Sequence, residues 1–325
     1  MRGSLFQVHR INNRTHSILT KIKLMYFRSI IIFSIIMPLQ IISPDYQNVE
    51  TRYFDFFFTE KNRSIVETLA LESDTIAVRI GLDLGVAIQE KITVQVAESG
   101  DFQELQPQHY GLPEWVSGVA YRTLSLIILK SPSEMSGAGY DLKKTFVHEL
   151  SHVLLGSAFK KDEEIPQWLN EGVAMYESRE WNFSRVSTMT QAVLTDALLP
   201  LSHITSGFPG ERRKAELAYC QSFYLISFMI SEYGKGTFHE FIHYYSKSKI
   251  LDDALLKIYG VNLEQMEEKW YSYLKMRFSW IPILCSTGTL WFLMSLIFIC
   301  SYIRKKRTVH MTIQRWQEEE RFKDD

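Results

Sequence analysis

Thr145 to Gly156, TFVHELSHVLLG, is the stretch that most restricts how this chain can fold. Phe146, Val147, Leu150, Val153, Leu154 and Leu155 give the segment the core-facing side of a buried helix. On such a helix His148 and His152 lie four residues apart, share one face and can close on a single metal ion. Glu149, beside the first of them, is placed to reach a water at the metal rather than the metal itself. A further ligand must come from a neighbouring helix. Pro166 to Tyr176, PQWLNEGVAMY, offers Glu171, nineteen residues past His152. Asp141 is the expected N-cap of the first helix and Gly156 its expected stop.

Two neutral imidazoles and one carboxylate leave a fourth position open, which is the ligand set of a catalytic zinc and not of a closed structural one. These donors stay deprotonated near neutral pH. One zinc ion is therefore the expected cofactor. Zinc polarises a scissile carbonyl and brings the pKa of its water to about 7. Glu149 would take that water's proton and pass it to the leaving amine.

The chain carries the same motif twice. His239, Glu240 and His243 spell HEFIH just after Tyr233-Gly234-Lys235-Gly236. The acidic candidates beyond it, Glu264, Glu267 and Glu268, sit in EQMEEKW, which reads as the solvated face of a helix. The first copy is followed by a clean carboxylate on an apolar-periodic segment. HEFIH reads as a coincidence of composition.

The 325 residues have room for one large domain or two small ones, plus anchors. Net charge is −1 and no basic stripe interleaves with aromatics, so no nucleic-acid partner is expected. Ile281 to Ile303 is 23 residues without a charge, flanked by Trp280 and followed by Arg304-Lys305-Lys306-Arg307. That reads as a bilayer span with a cytoplasmic C-terminal tail. Ser29 to Ser43 suits a secretory signal or an uncleaved anchor, and translation from Met25 would give it a short n-region. The expected order is a basic N-terminus with signal or anchor over 1–45, an extracytoplasmic domain over 46–279, a transmembrane helix over 280–303 and a cytoplasmic tail over 304–325. Cys285 and Cys300 fall in the span, leaving Cys220 without a disulfide partner. Asn62-Arg63-Ser64 and Asn182-Phe183-Ser184 are glycosylation sequons, meaningful only in a host that glycosylates.

Strands are expected at Arg52 to Phe58, Ile92 to Ala97 and Thr123 to Leu129, with helix over most of Ser64 to Glu90. After a small-residue loop at Ser131 to Tyr140 the chain reads as wholly helical, over 141–158, 166–179, 211–233, 237–247, 249–258 and 262–277. Strands first and helices later imply an α+β domain with the site between a sheet edge and the helical part.

In order along the chain, Leu112 to Ala120 (LPEWVSGVA), the strand at 123–129, His148-Glu149…His152, Trp168-Leu169-Asn170-Glu171-Gly172 and Ala218 to Ser222 (AYCQS) resemble the gluzincin metallopeptidases. The membrane-anchored "peptidase MA-like" group is the nearest in pattern, over roughly residues 50 to 277. The resemblance implies a thermolysin-like zincin core, with an N-terminal mixed sheet and a mainly helical C-terminal part. It implies His148, His152 and Glu171 as zinc ligands, Glu149 as general base and a protein or peptide as substrate. It also implies an edge strand beside the cleft, expected at 123–129, that pairs with extended substrate. Tyr219 is the candidate donor to the oxyanion, a core tyrosine being the competing reading, and Gln221 a candidate partner behind the ligands. Two departures stand out. Met175 occupies the position, four past the ligand glutamate, where such enzymes often place an aspartate behind a ligand histidine; Glu177 or a backbone carbonyl would have to substitute. The G-x-M-E-N segment of the large zinc aminopeptidases is also missing, which points to an endopeptidase.

Membrane-tethered zinc peptidase is thus the leading reading. A zinc-binding but inactive domain that recognises a peptide or partner protein is the alternative, against which the intact Glu149 speaks. An intramembrane protease is opposed by Lys143, Lys144, Lys160, Lys161, Asp162, Glu163 and Glu164, which flank the motif with charge.

Overall fold

Alternation in Phe54–Thr59, FDFFFT, sends Phe54, Phe56 and Phe58 to one side, where all three are fully buried. Each such ring contributes about 1.5–3 kcal/mol on leaving water. This strand, β2, pairs antiparallel with β1 (Tyr46–Glu50) and parallel with β3 (Ile92–Ala97), to which α1 (Arg63–Leu84) connects it. A short helix, α2 (Ser99–Glu104), follows β3, and two further strands complete the sheet: β4 (Gly118–Tyr121) and β5 (Leu126–Lys130). The order is β1-β2-β3-β5-β4, mixed in direction, with β3 and β5 parallel and β4 antiparallel to β5. The computed structural model describes residues 46–105, 116–132, 140–160, 163–278 and 287–321.

Two expectations are corrected here. The strand expected at 123–129 begins at Leu126, after a 3-10 turn over Arg122–Leu124, and it is interior. The edge is β4, with Gly118 opposite Leu129 and Tyr121 opposite Leu126. A continuous apolar run such as LIIL marks a strand covered on both faces, so it could not have been the exposed one.

The helical part follows as α3 (Leu142–Ser157), α4 (Gln167–Glu177), α5 (Phe183–Leu194), α6 (Arg212–Ser248), α7 (Leu251–Tyr259), α8 (Leu263–Phe278) and α9 (Thr287–Arg321). Asp141 caps α3 by accepting the Lys144 N–H at 3.1 Å, worth about 1 kcal/mol. Gly156 does not stop it. The helix continues through Ser157, and Gly156 instead leaves room for the Arg122 side chain, whose Cδ would stand 1.9 Å from any Cβ there. The helices expected at 211–233 and 237–247 are two limbs of α6, joined at Gly234, whose φ of 85° marks the kink. No helix was expected over Phe183–Leu194; only Met189, Ala192 and Val193 of it are buried.

Phe146 of α3 packs edge-on against Phe54 at 5.3 Å and tilted against Phe56 at 6.0 Å, so the sheet fixes the helix that carries the histidines. Helix α4 lies against both α3 and α6. At Gly172 a Cβ would come within 2.5 Å of the Ser222 carbonyl oxygen, so glycine lets α4 and α6 approach closely. Asn62 is buried and hydrogen-bonded at both ends of its amide, donating to Thr59 and Glu98 and accepting from Ser131, which removes it as a glycan acceptor in the fold. Asn182 is exposed but serves as the N-cap of α5. The segment Ser29 to Ser43, Cys285 and most of the loop Ser131 to Tyr140 lie outside the described residues. The span expected over Ile281 to Ile303 lies partly there. Among the described residues one helix, over Gly288–Trp316, is long and apolar enough to cross a membrane, and none of it is buried. It passes Arg304 to Arg307 without a break, because no glycine or proline interrupts it between 289 and 321.

Candidate active site

His148 and His152 project from one face of α3 toward α4, as the four-residue spacing requires, with ring centroids 4.9 Å apart. Glu171 of α4 meets them. Its Oε2 stands 3.6 Å from His148 Nε2 and 3.8 Å from His152 Nε2, and the donor atoms of all three lie within 4.8 Å of one another. Donors held about 2.0–2.1 Å from a tetrahedral ion stand roughly 3.4 Å apart, so the set fits one zinc after small closure. Glu149 is not among the converging atoms.

Each group behind the imidazoles fixes a tautomer. His148 Nδ1–H donates to Glu180 Oε1 at 2.6 Å, and His152 Nδ1–H donates to Asn170 Oδ1 at 3.0 Å. Both Nε2 atoms are thereby turned toward the common centre. Glu180 is held in turn by Arg185 Nη2 at 2.7 Å, and Glu171 Oε1 by Gln167 Nε2 at 3.0 Å. Glu180 takes the place left by Met175, which is buried. Glu177, the expected substitute, is engaged by Arg79 at 2.5 Å instead. Gln221 does not back the ligands either: it is fully buried and braces the loop at Leu199, donating to its carbonyl and accepting its N–H, both at 2.8 Å.

The electrostatics follow from burial and these pairings. Burial disfavours the His148 imidazolium, but the facing carboxylates of Glu171 and Glu180 outweigh it and hold the group up at about 10 without a metal. Burial would raise Glu180, yet His148 and Arg185 pull it down to about 2. Glu171 is likewise lowered against its burial by the two histidines. Glu149 goes the other way: burial dominates and pushes its carboxyl above the usual range, against the pull of His148 and His152. Edge strand β4 shapes its setting, since a Cβ on Gly118 would lie 2.8 Å from Glu149 Cγ and 3.0 Å from its Oε1.

These groups line an open cleft of about 1040 Å³, walled by β4 on one side and reaching Tyr219 of α6 on the other. Tyr219 is half-exposed, packs edge-on against Phe208 at 4.8 Å, and is pushed up to about 12 by burial and by Glu171, Glu149 and Glu180. Its phenol keeps its proton. The second motif lies elsewhere. Glu240 and His243 are exposed, Lys247 Nζ donates to His243 Nε2 at 2.8 Å, and a Cβ on Gly85 would stand 3.1 Å from that of His239. Among the described residues, His148, His152 and Glu171 form the sole grouping able to hold a metal.

A family model described as "Peptidase MA superfamily" matches residues 73–276. No curated protein matches the chain. Solved structures similar to it include an M1 zinc metallopeptidase from Deinococcus radiodurans, at 16% identity over 69% of this chain and 50% of that one, TM-score 0.40. The native leukotriene A4 hydrolase of Saccharomyces cerevisiae matches at 14% identity, over 66% of this chain and 36% of that one, TM-score 0.42. An aminopeptidase N family protein from Idiomarina loihiensis matches at 10% identity, over 69% and 46%, TM-score 0.40. The chain spans half or less of the length of these structures.

Proposed function

The chain belongs to the Peptidase MA superfamily, and from that premise we propose that it is a zinc-dependent endopeptidase tethered to a membrane. The observation that carries this reading is the convergence of His148, His152 and Glu171 with Glu149 beside the set but outside it. The three would hold the zinc. Zinc, when bound, supplies a Lewis acid that polarises a peptide carbonyl and acidifies water.

This chain's own residues do the rest. Glu180 and Asn170 keep both imidazoles in the tautomer that offers Nε2. Glu149, made a better proton acceptor by burial, takes the proton of the attacking water and returns it to the leaving nitrogen. The Tyr219 phenol, protonated at any working pH, donates to the carbonyl oxygen as charge develops there. Edge strand β4, in place of 123–129, holds extended substrate through its backbone. A thermolysin-like arrangement of sheet edge, metal helix and Tyr219 is the picture these groups support.

We further propose that α9 crosses the membrane. The basic run at Arg304 to Arg307 then keeps the tail 304–325 in the cytoplasm, with the domain 46–279 on the other side and residues 1–45 as signal or anchor.

The test is hydrolysis of a fluorogenic peptide blocked at both ends by the full chain in detergent. Cleavage that chelation abolishes and zinc restores is expected. Cleavage confined to peptides with a free N-terminus would make it an aminopeptidase instead. Full zinc content without any cleavage would favour the inactive binding domain.

A further inference from the structure

Trp181, Phe183 and Met276 are 58%, 79% and 71% exposed, although large apolar side chains on a domain surface give up favourable burial. They belong to one region. Trp181 stands beside the Tyr224 hydroxyl, and the Tyr224 ring packs edge-on against Phe278 at 5.1 Å. Arg277 acts on the same hydroxyl. Phe183 is the first residue of α5, which packs along α8, and Met276 lies in the last turn of α8. The three therefore surround the end of α8, where the described domain stops at Phe278.

Charge is segregated along the same helix. Glu264, Glu267 and Glu268 lie in its first half with one base, Lys269, whereas its last turn carries only bases, Lys275 and Arg277, both exposed, and exposed Arg179 stands two residues before Trp181. Basic residues at a helix C-terminus are ordinary on their own. Here they stand beside exposed tryptophan, phenylalanine and methionine. The uncharged run of the chain begins directly after Phe278, at Ser279, and lasts to Ile303. At no more than about 3.6 Å per residue, the chain from Phe278 to Thr287 holds the end of α8 within about 32 Å of the start of α9.

We propose that Trp181, Phe183 and Met276, ringed by Arg179, Lys275 and Arg277, form a surface that docks the domain on a bilayer bearing anionic headgroups. Aromatic rings suit the headgroup level, and the cations add attraction to acidic lipid. This rests on the reading that α9 anchors the chain, and is independent of the peptidase reading.

The test uses the full chain in phosphatidylcholine–phosphatidylglycerol vesicles, with benzoylphenylalanine incorporated at Phe183, at Met276 or at Glu264, the last some 20 Å away along α8 at 1.5 Å per residue. Flotation with the vesicles reads the anchor, and photo-crosslinked lipid reads the docking. Strong lipid adducts at 183 and 276, at least fivefold above 264 and reduced in pure phosphatidylcholine, are expected. Flotation with equal adducts at all three positions would overturn the docking surface and leave the anchor standing. Failure to float would overturn both, and neither outcome depends on hydrolysis.

Discussion

HELSH on α3 and HEFIH on the second limb of α6 share a motif and a helical spacing, yet they finish in unlike surroundings. The first faces a glutamate from α4, has a carboxylate and an amide behind its two imidazoles, and opens on a cleft beside a sheet edge. The second presents Glu240 and His243 to solvent and sets His239 against Gly85. Spacing alone brings two imidazoles to one face of a helix. What separates a metal centre from a coincidence is supplied by other elements: a further donor, tautomer-fixing partners and a buried base.

That contrast can be broken most sharply at the two glutamates. Glu149→Gln should lower kcat by about 10²–10⁴-fold with zinc retained, while Glu240→Gln should leave kcat and KM unchanged. Steady-state kinetics with metal analysis on both variants decides it; equal losses would remove the distinction. Tyr219→Phe should cost on the order of 10²-fold in kcat if the phenol meets developing charge, and almost nothing if the ring only packs on Phe208.

A smaller effect is expected behind the ligands. Glu180→Ala should weaken zinc binding by about 10–100-fold, measured by competition with a chromogenic chelator, whereas His243→Ala should not weaken it. The pH dependence has a definite sign. Metal-free His148 is raised from its ordinary 6.5 to about 10, so it is protonated at pH 7 and must release that proton to bind zinc. Zinc affinity should therefore rise with pH between about 7 and 10. The metal-free fold runs the other way: the stabilisation from this raised group is fully present below its unfolded value near 6.5 and is lost as pH rises through about 10. Calorimetry of zinc binding in two buffers of different ionisation enthalpy reads the released proton, and none should be released by His148 if its imidazole is neutral at pH 7.

Much of the site could be read in advance because periodicity carries it. His148, His152 and Glu171 sit on strongly patterned helices, where spacing fixes the face. Glu180 could not be read, since it lies beyond the end of α4 where no period holds, and the vacancy at Met175 was the one signal that some such residue was needed. Strand β4 is four residues long and begins with glycine, too short to show alternation, so the neighbouring LIIL run is the more conspicuous strand in the sequence. Helix α5, FSRVSTMTQAVL, is rich in serine, threonine and valine, whose helix propensity is modest, and packing on α6 and α8 holds it instead.

The most direct measurement is the zinc content of the purified full chain, compared between the unaltered protein, Glu171→Ala and His243→Ala. One zinc per chain in the unaltered protein and in His243→Ala, with loss in Glu171→Ala, is the predicted result. Zinc that survives Glu171→Ala and disappears in His243→Ala would contradict the assignment and move the metal to HEFIH.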